Sequence, residues 1–324
     1  MKGFNLLKLA AALCVVAMLA CGVVLFFRTT NIGISYADAG QYTAGGAELA
    51  GPVRNLDVDW LDGSVIIAYH AKDTVVISET APKPISGDDA LRWWLDGDTL
   101  RVRYAKPGLF SLRSLFSFKG LNKALTLTLP EGAALENIDI DVTSGAVNVP
   151  ELNAGNVDID MTSGELALRQ SGAAERVALS ATSGSISADL AEVGKLAVSI
   201  TSGVIRTTVD SAKEISLSTT SGDIALRGGA AQKTDIDSTS GRIDVALAAF
   251  DELRVSATSG DIEAALPTDP GYSADINTTS GSFNHTVELS RDGKRYTCGD
   301  GSAQLRIDAT SGDVRLTDAN GQRP

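Results

Sequence analysis

Four carboxylates stand where acid–base or calcium chemistry would want them. Asp139, Asp141, Asp158 and Asp160 fall on outward positions of two neighbouring sequence repeats. A pair of carboxylates flanking a glycosidic bond can hydrolyse it, and a ring of carboxylate oxygens holds Ca²⁺. The competing reading is a solvated polar face that discourages edge aggregation. The pattern favours the second, because the repeats starting near Val177, Leu196 and Ile215 do not keep the aspartates. No Gly-Gly-x-Gly-x-Asp calcium repeat occurs either. Nucleophilic catalysis needs Ser or Cys beside a base. The two histidines, His70 and His285, fall in segments expected at opposite ends of the fold, and the repeat serines are equivalent by position. Cys14, Cys21 and Cys298 make no disulfide framework and no Cys/His metal spacing. Trp60, Trp93 and Trp94 offer rings for sugar stacking, with core or cap packing as the plainer use. The expectation is therefore a non-enzyme with no catalytic residue, no cofactor and no metal site.

One segment interleaves aromatic and basic residues, from Lys106 to Lys119. In it Phe110, Arg113, Phe116 and Phe118 are candidate contacts to a membrane surface or a partner. The alternative is an apolar cover over one end of the fold.

What must position all of these is a repeat. Thr-Ser-Gly recurs nine times, with glycines at Gly145, Gly164, Gly184, Gly203, Gly222, Gly241, Gly260, Gly281 and Gly312, spaced 19, 20, 19, 19, 19, 19, 21 and 31 residues apart. Three positions before each Thr the residue is aliphatic, from Ile140 to Ile307, and two after each Gly it is apolar, from Val147 to Val314. Polar residues alternate with them on both sides of the triplet, the period-two mark of strands. Each repeat thus reads as strand, corner, strand and connection. The connection is too long for a tight hairpin and too short for a crossover helix. The remaining solution is an all-β parallel β-helix, a β-solenoid of about 19-residue rungs stacked roughly 4.8 Å apart. Gly supplies the left-handed dihedrals at the corner.

The stack is expected to begin before the triplets. Leu56, Val58, Trp60 and Leu61-Asp62-Gly63 follow the same order as a divergent first rung, and 74–129 holds further strands around an Asp96-Gly97 turn, as an atypical cap. The long final spacing holds an insertion with a hairpin turn at Arg291-Asp292-Gly293-Lys294.

The N-terminus sets the expected address. From Leu9 to Phe27 the chain is apolar, long enough as a helix to span a bilayer, with Lys2 and Lys8 before it. The positive-inside rule puts the N-terminus in the cytoplasm and the rest outside. A cleaved signal peptide and a lipobox at Met18-Leu19-Ala20-Cys21 are the alternatives. The organisation expected is a cytoplasmic stub and transmembrane anchor over 1–30, a linker over 31–55, the divergent rung and cap strands over 56–130, the Thr-Ser-Gly solenoid over 131–320 and a tail over 321–324. The net charge of −12 argues against nucleic-acid partners.

Asp57-Val58-Asp59-Trp60 with Gly63-Ser64-Val65, the Leu127-Thr128-Leu129-Pro130 strand, Gly299-Asp300-Gly301-Ser302 and the serial triplets resemble the β-strand-repeat "putative adhesin" family of bacterial surface proteins. The resemblance covers about residues 50–320 and implies a cell-envelope location with an adhesion or envelope-associated role. It brings no catalytic residues. Function is accordingly expected to be non-catalytic binding or scaffolding at the envelope, held by the membrane through the N-terminal helix, toward cell-wall glycan or an envelope protein. A signalling component and a β-helix carbohydrate-active enzyme are the rivals.

Overall fold

The computed structural model describes residues 36–85, 87–107 and 121–319. The apolar run Leu9–Phe27, the candidate contacts Phe110, Arg113, Phe116 and Phe118, and the tail 321–324 lie outside the described residues. Among the described residues no helix is long and apolar enough to cross a membrane.

The chain runs through β1 (Thr43–Ala44), β2 (Ala47–Ala50), β3 (Asn55–His70), β4 (Thr74–Thr80), β5 (Arg92–Asp96), β6 (Thr99–Arg103), β7 (Lys123–Pro130), β8 (Leu135–Leu152) and β9 (Ala154–Gln170). It continues as β10 (Ala174–Ser240), β11 (Ile243–Ser259), β12 (Ile262–Leu266), β13 (Gly271–Ser280), β14 (Phe283–His285), β15 (Ser290–Asp292), β16 (Arg295–Gly299), β17 (Ala303–Ser311) and β18 (Val314–Asp318). Successive repeats pair in parallel and in register. Ile140 lies beside Ile159 and then Leu179, Gly145 beside Gly164 and then Gly184, and Val147 beside Leu166 and then Ile186. The protein is an all-β solenoid.

Alternation decides which side chains enter the core. Val157, Ile159 and Met161 are at most 1 % exposed, while Asp158 between them faces solvent. The corner then breaks strict alternation. The last inward residue before it stands three positions ahead of the glycine and the first inward residue after it two positions behind, an odd step that only a bend can absorb. The nine triplet glycines absorb it with φ between +125° and +145°, a region closed to residues with a Cβ. They are also needed for space. A Cβ on Gly222 would stand 1.7 Å from the carbonyl oxygen of Gly203, and one on Gly145 1.5 Å from that of Gly63.

The file of rungs departs from chain order at both ends, correcting the expectation of a simple sequential stack. At the start, β3 pairs with β8 on one side, and on the other its first half pairs with β6 and its second with β7. The outermost rung is therefore drawn from residues that follow β3 in sequence. At the finish, Gly312 stacks on Gly260 and Gly281 stacks outside Gly312. Strand β17 lies between β11 and β13, and β18 between β12 and β14. The 31-residue spacing supplies the length for this excursion. The chain steps out through β13 and β14, turns through the β15–β16 hairpin at Gly293-Lys294, and returns inside. At each end the rung nearest the terminus is thereby held along both edges, so it cannot fray outward.

Within the stretch expected as a linker, β1 pairs antiparallel with β5 and β2 with β4. These short strands cover edges that would otherwise be bare. Carboxylates pin the corners between rungs. Asp223 accepts the Arg242 amide at 2.9 Å, Asp261 that of Asp313 at 2.9 Å, and Asp313 that of Ser282 at 2.8 Å.

Two outcomes follow from this geometry. Gly222→Ala should lower stability by about 4 kcal/mol in chemical unfolding, since its Cβ has a backbone oxygen in the way, whereas Gly40→Ala, with open space around it, should change nothing measurable. The amide and hydroxyl of Ser282 hold the Asp313 carboxyl below the ordinary carboxylate range. That lowered pKa gives stability present above the unfolded value and lost as pH falls through the folded one. Protection of the Ser282 amide against hydrogen exchange, relative to its intrinsic rate, should fall below roughly pH 4, and Asp313→Asn should abolish the pH dependence of that protection.

Candidate functional site

The side of the solenoid ahead of each corner presents three straight columns of outward side chains. Eight residues before the glycine stand Asn55, Asn137 and Asn156, in register. Their amides form a ladder: Asn156 donates to Asn137 at 3.1 Å, Asn137 to Asn55 at 2.7 Å, and Asn55 to Asp98 at 3.2 Å. Stacking identical amides every rung lets each donate to the next without charge repulsion.

Six and four residues before the glycine run the aspartate columns. Asp57, Asp139 and Asp158 make one, and Asp59, Asp141 and Asp160 the other, so the four predicted carboxylates are brought side by side on two rungs. Ser180 donates to Asp160 at the end of its column. Arg101 and Arg103 stand next to Asp57 and Asp59 on the outermost rung. Both bind Asp57, at 2.5 and 2.7 Å. Burial works against the Arg103 charge, and the Asp57 hydrogen bond and charge outweigh it, so its pKa moves up. Among the described residues no group of three or more His, Cys, Asp or Glu is disposed to hold a metal ion.

Along the same columns the middle rungs are small and uncharged: Ala178, Ala197 and Ser216, then Ser180, Ser199 and Ser218. Charge enters the third column on these same rungs and returns to the other two beyond them, as ion pairs. Lys195 meets Glu214 at 3.1 Å across the column of the Asn ladder, Lys233 meets Asp235 at 3.3 Å, and Arg306 meets Asp308 at 2.6 Å. The two columns nearest the corner are thus small and neutral at the centre of the face, while the third carries Arg176, Lys195 and Glu214 on the same rungs. A groove of about 730 Å³ runs along another side, floored by Ala174, Val193, Ala212, Ala231 and Phe250.

The other sequence candidates separate. His70 contacts the Thr74 carbonyl at 2.6 Å in the first rungs, and His285 lies in β14 on the last. His285 has inward parity, yet it is exposed because no further rung covers it. Its ring stacks on Phe283 at 5.4 Å. Trp60 is fully buried, edge-on to Tyr104 at 4.9 Å. Trp94 is half-buried against Tyr42 and under Arg101. Cys298 is a buried free thiol.

Sequence reasoning missed Lys123. It occupies the corner-glycine position of the outermost rung, beside Gly63, and its side chain is fully buried. The ammonium bonds Glu79 at 3.0 Å, the Asp89 carbonyl at 2.7 Å and the Tyr104 carbonyl, and lies 4.0 Å from the Tyr104 ring centre. Burial pushes its pKa down, with Glu79 pulling it back. The missing signal was register: only stacking on Gly63 distinguishes this lysine from a surface one.

Residues 53–317 match the family model described as Toastrack DUF4097. Among solved structures, a "putative adhesin" from Parabacteroides merdae is 14% identical with a TM-score of 0.48, over 86% of this chain and 96% of that one. A "putative lipid binding protein" from Parabacteroides distasonis is 14% identical with a TM-score of 0.44, over 83% and 95%. A "putative adhesin" from Bacteroides fragilis is 11% identical with a TM-score of 0.40, over 85% and 97%. No curated protein matches the chain in sequence.

Lys123→Met should destabilise the first rungs by about 3–5 kcal/mol, because Glu79 keeps a buried charge without its partner. The double change Lys123→Met/Glu79→Gln should recover most of that loss. Hydrogen exchange of β4 and β7, together with thermal melting, reads both.

Proposed function

Because the chain belongs to the Toastrack DUF4097 family, matched over residues 53–317, we propose that it is a non-catalytic binding module displayed at the bacterial cell envelope. The observation that carries this reading is the ladder face, where rows of amide, carboxylate and hydroxyl groups stack in register over successive rungs. Such a surface makes many weak, evenly spaced contacts, and it suits an extended polymer better than a small substrate. The 4.8 Å step of stacked strands is close to the length of one sugar unit in an extended chain, which favours cell-wall glycan as the ligand. The Asn ladder has the donors and acceptors that sugar hydroxyls require, and further along the face the small Ala and Ser side chains of the two columns nearest the corner let a chain lie close. An envelope protein lying across the same face is the second reading, favoured by the ion pairs Lys195–Glu214 and Arg306–Asp308 along it.

The apolar run Leu9–Phe27 behind Lys2 and Lys8 supports a single-pass anchor with the solenoid outside the membrane. Phe110, Arg113, Phe116 and Phe118 then become contacts to the bilayer surface or to a partner beside it.

Detergent-purified full chain should co-sediment with insoluble cell-wall glycan. Asn137→Ala/Asn156→Ala should weaken that binding about tenfold, as expected for the loss of two hydrogen bonds, and Ser199→Arg should block the centre of those two columns. Binding indifferent to all three changes would move the site off this face, and capture of an envelope protein instead of glycan would support the second reading.

A further inference from the structure

The two ends of the solenoid are finished differently. The first is sealed. Lys123, Glu79, Trp60 and Tyr104 close the core, β4 and β5 cover the outer rung, and the edge strand β2 carries Glu48 paired with Lys72 at 3.4 Å. The far end is half finished. Strand β16 covers residues 271–275 of β13, and among the described residues no strand pairs with the outer edge of 276–280 or of β14.

Three features of that bare edge point the same way. First, the twelve residues from Ile276 to Val287 include no Asp, Glu, Lys or Arg. The next rung inward carries Asp308, Asp313, Arg315 and Asp318 over the equivalent stretch. Bare edges are ordinarily guarded by charge, and this one is not. Second, its inward side chains are only partly covered. Ile276 is partly exposed where Val255 and Ile307 in the same column are 0 % exposed, and Phe283 is partly exposed where Ile262 and Val314 are at most 1 % exposed. Third, the described N-terminal residues lie at the opposite end, where the Tyr36 hydroxyl donates to the Ala105 carbonyl at 3.2 Å and β1 lies on β5.

We propose that residues 276–280 and Phe283–His285 are the contact through which two copies of this chain pair tail to tail, edge strand against edge strand about a two-fold axis. A second copy is the partner the charges select. The chain carries a net −12 and repels itself over most of its surface, and this neutral edge is where two copies can meet without opposing like charges. An isologous contact also needs one self-complementary patch, and an unpaired strand edge is that by construction. Pairing buries Ile276 and Phe283 and satisfies the backbone groups of both edges. The pair is a rod about 100 Å long with the two Tyr36 ends of the described residues at opposite extremes, which suits joining two surfaces more than two neighbours on one.

Sedimentation velocity on the full chain in detergent, over a dilution series, tests this together with lysine cross-linking. The wild-type chain should dimerise reversibly, with Lys294 of one copy linked to Lys294 of the other. Thr279→Lys/Asn284→Lys should weaken the dimer at least about tenfold with the melting temperature unchanged. Asn284→Lys alone serves if the double variant unfolds. A wild-type chain monomeric at every concentration, a dimer that ignores the added charges, or cross-links running through Lys72 would each overturn the proposal. Capture of a strand from another protein by a chain that stays monomeric would overturn it as well.

Discussion

The structure depends on one contact repeated along its length: the α-carbon of a corner glycine resting against the carbonyl oxygen of the glycine one rung before. In a flat parallel sheet the rungs could slide or splay at the bends. Here the bend is where they are held closest, because a hydrogen in place of a Cβ lets each corner nest in the one beneath. Any other residue meets that oxygen at 1.5 to 2.1 Å along the triplet file. With the corners in register, the straight segments on either side have no freedom to slip, and every inward aliphatic residue falls on its equivalent above and below.

From that registry come both the core and the surface. Inward columns of Val, Ile and Leu merge into one continuous apolar column, so a rung is stabilised chiefly by its neighbours and the array stands or falls together. Outward columns become ladders for the same reason. Asn55, Asn137 and Asn156, 82 and 19 residues apart, are unremarkable in sequence and become a hydrogen-bonded row once the rungs are stacked. The same registry makes the ends a problem, since a growing parallel stack always leaves a live edge. One end is closed by turning the corner position into a buried lysine paired with Glu79. The other is closed only over the half reached by the β16 hairpin.

The permutation of rungs at both ends bears on how such a stack is kept from unravelling. In a solenoid wound strictly in order, the terminal rung has neighbours on one side only and opens first. Here β3 is clasped between β8 and the β6–β7 rung, and β17–β18 between the β11–β12 rung and the β13–β14 rung. The first and last rungs in chain order are therefore interior, and the outermost rungs are loops of chain tethered at both ends.

The triplets and their flanking alternation determined the strands, the corners, the inward residues and the parallel stacking, because each is a local consequence of period-two patterning and of what glycine alone can do. The Gly63 rung, the Asp96-Gly97 turn and the hairpin turn at Gly293 were legible for the same reason. Which rung sits beside which at the ends was decided only in three dimensions: Gly281 and Gly312 carry identical triplets, and nothing local says which is outermost. The role of Lys123 was hidden likewise, since a lysine becomes a core residue only when its register places it at a corner already walled by Glu79, Trp60 and Tyr104. Local rules fix what each rung is; only the packing of the whole stack, through hydrogen-bond register and burial at its edges, fixes where each rung goes.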